Sequence, residues 1–392
     1  MKSSQYLKIA TTVLMVGCTN YDLGVISRYE VTPPTTGEDP SGPACYEMKF
    51  TQPEADRIKN VDLLFVVDTS GSLNEERAKI AEQIDAYVSK LPETSNIRIG
   101  VMLGHGSDSQ WSGKLWSNNS ASVVLDISTQ GIASVRSQLV NRLKYSKDDP
   151  YSDGGETTFV SLYNGIHGDK LAASKAAGFF RDDAALAVIL VSDENEICHV
   201  YPDGISRVAD GERYQGKTLE QWAFDQYCSV VPTGETVAKN LDYKLMYSEL
   251  KALKGQQPLL VAAMVYTNPN NFPRTGENEY GYGYVELVQE SGGALVNLAD
   301  PDYSAGLAFI GEMTAIRLNL VTDFLLTHTN VDETSIKVKV DDEVALYTYS
   351  AAANTVVVSE PGTAKSKVQI NYCAKEVICA EDDLECSSSS IQ

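Results

Sequence analysis

Two hydroxyls and a carboxylate alternate in the segment VVDTSGS, residues 66–72, at the point where an apolar run ends. That run, VDLLFVV at residues 61–67, has the composition of a buried strand, and the apolar residues that come next recur at helical spacing. Asp68, Ser70 and Ser72 therefore lie in a turn between a strand and a helix. Because the segment contains no histidine or cysteine, its chemistry is that of hard oxygen donors.

Two later segments supply further oxygen donors. ALAVILV, residues 185–191, is a buried strand by composition and leads to Asp193 in the sequence LVSDENE. Open α/β sheets bind ligands beyond the carboxyl ends of their strands, and with strand order 3-2-1-4-5-6 the first and fourth strands flank that crevice. Asp193 is then expected opposite Asp68. The turn DGGETTF brings Thr157 or Thr158 to the same edge, and Thr157 is preferred because it directly follows Gly-Glu.

Two carboxylates and three hydroxyls suit Mg²⁺ or Mn²⁺ in preference to a soft metal or to Ca²⁺. Mg²⁺ takes six ligands and releases water reluctantly, so a protein that offers few direct charges leaves a position open for a carboxylate from a partner. Neutral hydroxyl ligands keep the ion electrophilic, and the N-terminus of the following helix adds partial positive charge. The pattern predicts a cation site that binds an acidic group. The simpler alternative is that Asp68 and Ser70 only cap the helix.

Apolar runs alternate with helical patterns from Val61 to about Arg317. NIRIGVML, PLLVAAMVY and GALVNL have the composition of further strands, and SVVLDI gives a weaker strand signal. Strands that alternate with helices indicate an α/β fold with a doubly wound, mostly parallel sheet that is covered on both faces.

The pattern changes to period two from Asn319, in IKVKV, NTVVVSE and KVQINY, which predicts a second, smaller antiparallel β-domain of sandwich type. CYEMKF, residues 45–50, also alternates and is expected to pair antiparallel with KVQINYC. A chain of 392 residues is long enough for both domains. The predicted organisation is a signal peptide at 1–17, a lipidated cysteine and tether at 18–44, an N-terminal strand region at 45–57, the α/β domain at 58–318, the β-domain at 319–378 and a cysteine-containing tail at 379–392.

At these residues the chain resembles the von Willebrand factor A family, whose metal-ion-dependent adhesion site has the pattern Asp-x-Ser-x-Ser, then Thr, then Asp. The segment DTSGS at 68–72 matches in full at a strand end, Thr157 or Thr158 corresponds to the threonine, and Asp193 corresponds to the distal aspartate. The resemblance covers about residues 58–318. It implies a divalent cation and binding of an acidic side chain of a partner protein, although some members keep the fold without the metal.

The N-terminus has the pattern of a secretory signal. Lys2 and Lys8 precede an apolar run that is too short to cross a bilayer, and its end, LMVGC, resembles a bacterial lipobox. Cys18 is then the lipidated residue, and the chain is anchored in the bacterial envelope. Thr19 stands where inner-membrane retention is associated with aspartate, which favours the outer membrane. The alternative is an ordinary signal peptide with a chance cysteine.

Six of the seven cysteines remain if Cys18 carries lipid, an even number suited to disulfides in an oxidising compartment. The sequence alone allows about 15 pairings. No CxxC or Cys/His cluster indicates zinc. We favour two pairs that close local loops and one that joins the two paired strands, which gives Cys198–Cys228, Cys379–Cys386 and Cys45–Cys373.

Residues 194–258, called the crossover insertion below, are longer than an ordinary connection between parallel strands. The segment begins directly after Asp193. We expect it either to shape specificity for a partner, as loops at a ligand-binding face often do, or to be a decorative insertion.

The net charge of -21 disfavours nucleic acid as a partner. The four histidines, which include His105 and His199, form no metalloprotease or deaminase motif, and no GxSxG is present. The leading hypothesis is therefore a metal-dependent lipoprotein, not an enzyme, that binds a protein or glycoconjugate with an exposed carboxylate. A scaffold of an envelope assembly with a vestigial site and a metal-dependent hydrolase are the alternatives. His199 lies close enough to Asp193 in sequence to reach a metal, but a lone histidine in an insertion is usually only a polar surface residue.

Overall fold

The computed structural model describes residues 30–32, 44–52, 60–90, 96–118, 120–144, 156–199, 213–214, 216–255, 257–272 and 278–375. The predicted signal peptide, Cys18, most of the tether and the tail with Cys379 and Cys386 lie outside the described residues. Within the described ranges, no helix combines the length and the apolar character that crossing a membrane requires.

Strands and helices are numbered along the described parts of the chain. The strands are β1 (Glu30–Thr32), β2 (Cys45–Thr51), β3 (Asn60–Val67), β4 (Asn96–Leu103), β5 (Leu125–Asp126), β6 (Ala185–Val191), β7 (Arg213–Tyr214), β8 (Lys217–Thr218), β9 (Ser229–Val230), β10 (Lys239–Asn240), β11 (Leu259–Val265), β12 (Ala294–Asn297), β13 (Asp323–Leu325), β14 (Val331–Val340), β15 (Glu343–Val344), β16 (Tyr347–Ser350), β17 (Thr355–Val358) and β18 (Lys367–Ala374). The helices are α1 (Asn74–Val88), α2 (Ile127–Gln130), α3 (Ile132–Leu143), α4 (Thr158–Gly165), α5 (Gly168–Ala176), α6 (Leu219–Tyr227), α7 (Tyr243–Lys254), α8 (Tyr284–Ser291) and α9 (Ser304–Asn319).

A six-stranded sheet with the order β5-β4-β3-β6-β11-β12 forms the centre of the α/β domain. All neighbouring strands are parallel except β5, which pairs antiparallel with β4. The predicted α/β fold class, with its doubly wound, mostly parallel sheet, is confirmed. The strand order reverses between β3 and β6, whose ends are level because Val67 is in register with Val191. A crevice at the carboxyl edge is expected at this position.

Strand β5 is shorter than the segment SVVLDI predicts. It contains only Leu125 and Asp126. Asp126 ends the strand by capping the next helix: its Oδ1 accepts a hydrogen bond from the backbone N–H of Ser128 at 2.9 Å. Such local side-chain bonds compete with strand pairing.

Each face of the sheet carries its own apolar core. Along β3, Leu63, Phe65 and Val67 point to the face that is covered by α1, α3 and α9. Leu64 and Val66 point to the opposite face, which is covered by α4, α7 and α8. A strand buried on both faces needs apolar residues at every position, which explains the uninterrupted runs in the sequence.

The β-domain is a sandwich of two antiparallel sheets. One sheet has the order β1-β2-β18-β14-β15 and the other has the order β13-β17-β16. The two sheets share an apolar core that includes Phe50, Phe324 and Val356. Because β2 precedes the α/β domain and the remaining core strands follow it, the α/β domain is inserted into the sandwich.

The side chain of Gln52 holds together the two chain segments that connect the domains. Its Nε2 donates to the Val321 carbonyl at 2.8 Å, and its Oε1 accepts from the Val321 backbone N–H at 2.8 Å. Gln52 is almost completely buried. These bonds hold the segment that follows β2 beside the segment that precedes β13.

Two of the three favoured disulfides lie within the described residues, and both are present. Cys45 is bonded to Cys373, at paired positions of β2 and β18. Cys198 is bonded to Cys228 and closes a loop of the crossover insertion. Both sulfur atoms of the second bridge belong to buried residues. The Cys45–Cys373 disulfide therefore joins the two strands whose antiparallel pairing the alternation of residues predicts.

Candidate metal centre

The carboxyl ends of β3 and β6 bring Asp68 and Asp193 to the same edge of the sheet. The backbone N–H of Asp68 donates to the Val191 carbonyl at 2.9 Å, and the Ser192 hydroxyl donates to Asp68 Oδ2 at 2.7 Å. Both aspartates are fully buried. Burial raises the pKa of Asp193, and the charge of the nearby Asp68 raises it further.

The turn after β3 holds the two serines beside Asp68. Asp68 Oδ1 accepts from the backbone N–H of Ser70 at 2.7 Å, and the hydroxyl oxygens of Ser70 and Ser72 are 3.0 Å apart. Arg77, which is buried in α1, donates from Nη1 to the carbonyls of Asp68 at 2.8 Å and Ser70 at 3.0 Å. Arg77 of α1 therefore fixes the turn, and the side-chain oxygens of Asp68, Ser70 and Ser72 stay close together.

Asp193 has two buried carboxylate oxygens, and neither has a hydrogen-bond partner. Burial raises its pKa most, and Asp68 raises it further, whereas the nearby Ser72 hydroxyl lowers it in part. That hydroxyl is close enough to influence the charge but does not satisfy the geometry of a hydrogen bond. An ionised carboxylate without donors is costly in the protein interior unless a cation compensates it. The chemistry of this group therefore fits a metal ligand.

The threonine segment lies at the same edge but is tied to the backbone. Gly104 follows β4 and donates its N–H to the Val67 carbonyl at 2.8 Å. The Gly104 carbonyl accepts both the Thr157 backbone N–H at 2.9 Å and the Thr157 hydroxyl at 3.1 Å. The Thr158 hydroxyl is buried without a hydrogen-bond partner. The preference for Thr157 over Thr158 as a ligand stays a prediction.

Two glutamates that the sequence analysis did not assign make the edge more acidic. Glu156 precedes Thr157, Glu194 follows Asp193, and both are largely buried. Burial raises the pKa of Glu194 well above its ordinary range, and Glu156 and Asp68 raise it further. Glu194 Oε1 has no hydrogen-bond partner. Glu156 and Glu194 thus add negative charge near the two aspartates of the candidate centre.

His105 links two of the loops that form the edge. Its ring is fully buried, with Nε2 2.8 Å from the Thr69 hydroxyl and Nδ1 2.8 Å from the Ser109 hydroxyl. These two contacts fix the turn after β3 against the loop after β4, and no local sequence pattern indicates the contact with Thr69. His199 stacks on Tyr282, with ring centroids 6.0 Å apart, and its role as a metal ligand stays untested.

Ser192 should be important for the affinity of the site, although sequence reasoning missed it. Replacing Ser192 by alanine removes a buried hydroxyl that donates to Asp68 Oδ2, and such outer partners of a metal ligand contribute about 10- to 100-fold in affinity. We expect Mn²⁺ to bind Ser192→Ala about 10-fold more weakly than wild type, as measured by isothermal titration calorimetry. Wild-type affinity in a folded Ser192→Ala protein would refute this role.

The chain therefore belongs to the class of proteins with an open α/β sheet and a cluster of oxygen ligands at its carboxyl edge. The cluster lies where the strand order reverses, between β3 and β6. Among the described residues, no group of three or more His, Cys, Asp or Glu side chains has the arrangement of a metal site. The candidate centre instead combines two carboxylates with hydroxyls. Such a mixed set of hard donors suits a hard divalent cation.

No protein-family model matches the chain, and no curated protein matches it. Three solved structures that resemble it are a von Willebrand factor type A protein from Catenulispora acidiphila, the pilus adhesin SpaC from Lactobacillus rhamnosus GG in an open conformation, and an adhesive tip pilin from Group B Streptococcus agalactiae. Their identities to this chain are 13%, 12% and 10%, and their TM-scores are 0.40, 0.35 and 0.30. The matches cover 89%, 88% and 90% of this chain.

The chain spans 65% of the Catenulispora protein, 42% of the Lactobacillus adhesin and 86% of the streptococcal pilin. The match therefore covers less than two thirds of the length of the first two proteins. At such low identity and TM-score, these likenesses assign neither a family nor an activity to the chain, and the function has to be inferred from its own residues.

Proposed function

We propose that this chain is a lipoprotein of the von Willebrand factor A family that binds a partner through a divalent cation. Asp68, Ser70, Ser72, Thr157 and Asp193 would hold Mg²⁺ or Mn²⁺. The observation that carries the proposal is Asp193, whose two buried oxygens make no hydrogen bond although a second buried carboxylate lies nearby. A helix-capping role for Asp68 and Ser70 alone leaves Asp193 without an explanation.

The protein residues prepare the site for an acidic ligand. When bound, the cation would supply positive charge and an electrophilic position for a carboxylate. Arg77 holds the backbone carbonyl of Asp68 and Ser192 holds its carboxylate, so little rearrangement is needed to form the site. Ser70 and Ser72 contribute neutral oxygens, which leave more of the ion's charge available to a partner than further carboxylates would.

The partner is a protein or glycoconjugate that presents an exposed carboxylate. Nucleic acid is disfavoured because the chain has a net charge of -21. Cys18 would carry the lipid that anchors the chain in a bacterial envelope, with the outer membrane favoured. In this view the chain is an adhesin or ligand-binding protein and performs no catalysis.

Affinity capture from envelope and target-cell extracts tests the proposal. The wild-type chain should retain a partner in Mg²⁺ and release it in chelator, and Asp68→Ala should retain none. Asp85→Ala is the matched control, because it removes an exposed carboxylate of α1 that lies outside the candidate centre. Capture that survives in Asp68→Ala and in chelator would support the scaffold alternative, and ester or peptide hydrolysis that is lost in Asp68→Ala would support the hydrolase.

A further inference from the structure

The start of α4 departs from the usual way in which a threonine caps a helix. Thr157 is the N-cap residue, but its side chain makes no capping hydrogen bond. A capping hydroxyl ordinarily accepts the N–H of the second or third helical residue. The Thr157 hydroxyl instead donates to the Gly104 carbonyl at 3.1 Å, in the loop beside β3 and β4. Another group must therefore satisfy the first N–H groups of α4.

Glu196 is that group. Its Oε2 accepts a hydrogen bond from the backbone N–H of Phe159, the second residue of α4, at 3.0 Å. Glu196 comes from the crossover insertion and is fully buried. A carboxylate at this point also interacts favourably with the positive end of the helix dipole.

Several bonds from different segments fix the position of Glu196. Its backbone N–H donates to the Tyr282 carbonyl at 2.8 Å, and its carbonyl accepts from the backbone N–H of His199 at 2.9 Å. Its Oε1 accepts from the backbone N–H of Cys198 at 3.4 Å, beside the disulfide to Cys228. The carboxylate therefore joins the disulfide-closed loop to the helix that begins at the candidate metal centre.

We propose that Glu196 is a positioning residue for the metal-binding threonine: it takes over the capping of α4 and thereby leaves the Thr157 hydroxyl at the sheet edge. The crossover insertion is then part of the support of the metal centre and more than a decoration. This inference rests on the proposed function, since it assumes that Thr157 is a ligand.

Three substitutions of Glu196 separate the position of the acceptor from its charge. Glu196→Ala removes the acceptor and is expected to weaken Mn²⁺ binding by about 10- to 100-fold, the usual effect of losing an outer partner of a metal ligand. Glu196→Asp keeps the charge but withdraws the oxygens by one methylene, so affinity should also fall. Glu196→Gln keeps an oxygen at the same distance from Phe159 N–H, and its affinity should stay within about threefold of wild type.

Isothermal titration calorimetry with MnCl₂ on the full chain measures these affinities, and circular dichroism verifies that each variant is folded. Asp242→Ala is the matched control, because Asp242 caps α7 in the same insertion through the Leu245 N–H at 2.9 Å. The proposal predicts losses in Glu196→Ala and Glu196→Asp and near wild-type affinity in Glu196→Gln and Asp242→Ala. If Glu196→Ala does not fold, the contrast between the aspartate and glutamine variants decides.

Wild-type affinity in folded Glu196→Asp would overturn the proposal, as would an equal loss in Glu196→Gln, which would assign the effect to charge. An equal loss in Asp242→Ala would assign it to general loosening of the insertion and would overturn the proposal too. If the wild-type chain binds no Mn²⁺, the proposed function itself fails. If it binds Mn²⁺ and all Glu196 variants bind equally well, only the positioning role fails.

Discussion

Replacing Asp193 by asparagine is expected to abolish the stabilisation of the chain by Mg²⁺. For the wild type, Mg²⁺ at about 100 times its dissociation constant should raise the free energy of unfolding by about 2.7 kcal/mol, because it binds the folded state alone. That corresponds to a rise in unfolding temperature of about 5 °C or more. Asparagine keeps the shape of the side chain but lacks the anionic oxygen that the ion requires.

The same substitution should have the opposite effect without metal. Both Asp193 oxygens are buried and lack donors, so the carboxylate costs free energy in the metal-free protein. Asp193→Asn should then be as stable as wild type or more stable in chelator. Differential scanning fluorimetry with and without Mg²⁺ measures both effects, with Asp85→Asn as the surface control. A variant that gains as much from Mg²⁺ as wild type does would remove Asp193 from the site.

Loss of the Cys45–Cys373 disulfide is expected to destabilise the sandwich by about 6 kcal/mol in the loop-entropy model. The bridge spans a sequence separation of 328 residues and joins β2 to β18 across the inserted domain. In Cys45→Ser/Cys373→Ser, β2 keeps only its strand pairing and its share of the sandwich core. The sandwich should then unfold at a lower urea concentration than the α/β domain.

Two spectroscopic signals distinguish the domains. All three tryptophans, Trp111, Trp116 and Trp222, belong to the α/β domain, whereas far-ultraviolet circular dichroism reports on both domains. The expected result is an early transition in circular dichroism with a smaller change in tryptophan fluorescence. Cys198→Ser/Cys228→Ser is the matched control, since Trp222 lies within its loop and its fluorescence should shift instead. Identical midpoints for both signals in Cys45→Ser/Cys373→Ser would contradict this assignment.

The sequence predicts the sheet well where a strand is buried on both faces. The apolar runs of β3 and β6 are uninterrupted, as a strand in the middle of the sheet requires. Because β3 and β6 are neighbours in the sheet, Asp68 and Asp193 lie at the same edge. Asp62 is the exception within β3: this buried residue forms an ion pair with Arg181 at 2.8 Å, and no local pattern indicates it.

The supporting residues of the candidate centre could not be predicted from the sequence. Ser192, His105 and Glu196 act through hydrogen bonds to residues 124, 36 and 37 positions away along the chain. Such bonds depend on how strands and loops pack together, whereas the spacing of residues in DTSGS reflects a single turn. The short length of β5 has the same origin, because Asp126 can either extend a strand or cap a helix and only the fold decides.

The most direct test of the central claim is an anomalous diffraction measurement at the manganese edge on crystals of the full chain grown with MnCl₂. We expect one strong peak at the carboxyl edge of the sheet, in contact with oxygens of Asp68, Ser70 and Ser72 and beside Asp193. Absence of a peak there at a Mn²⁺ concentration that saturates surface sites, or a peak only elsewhere, would contradict the account.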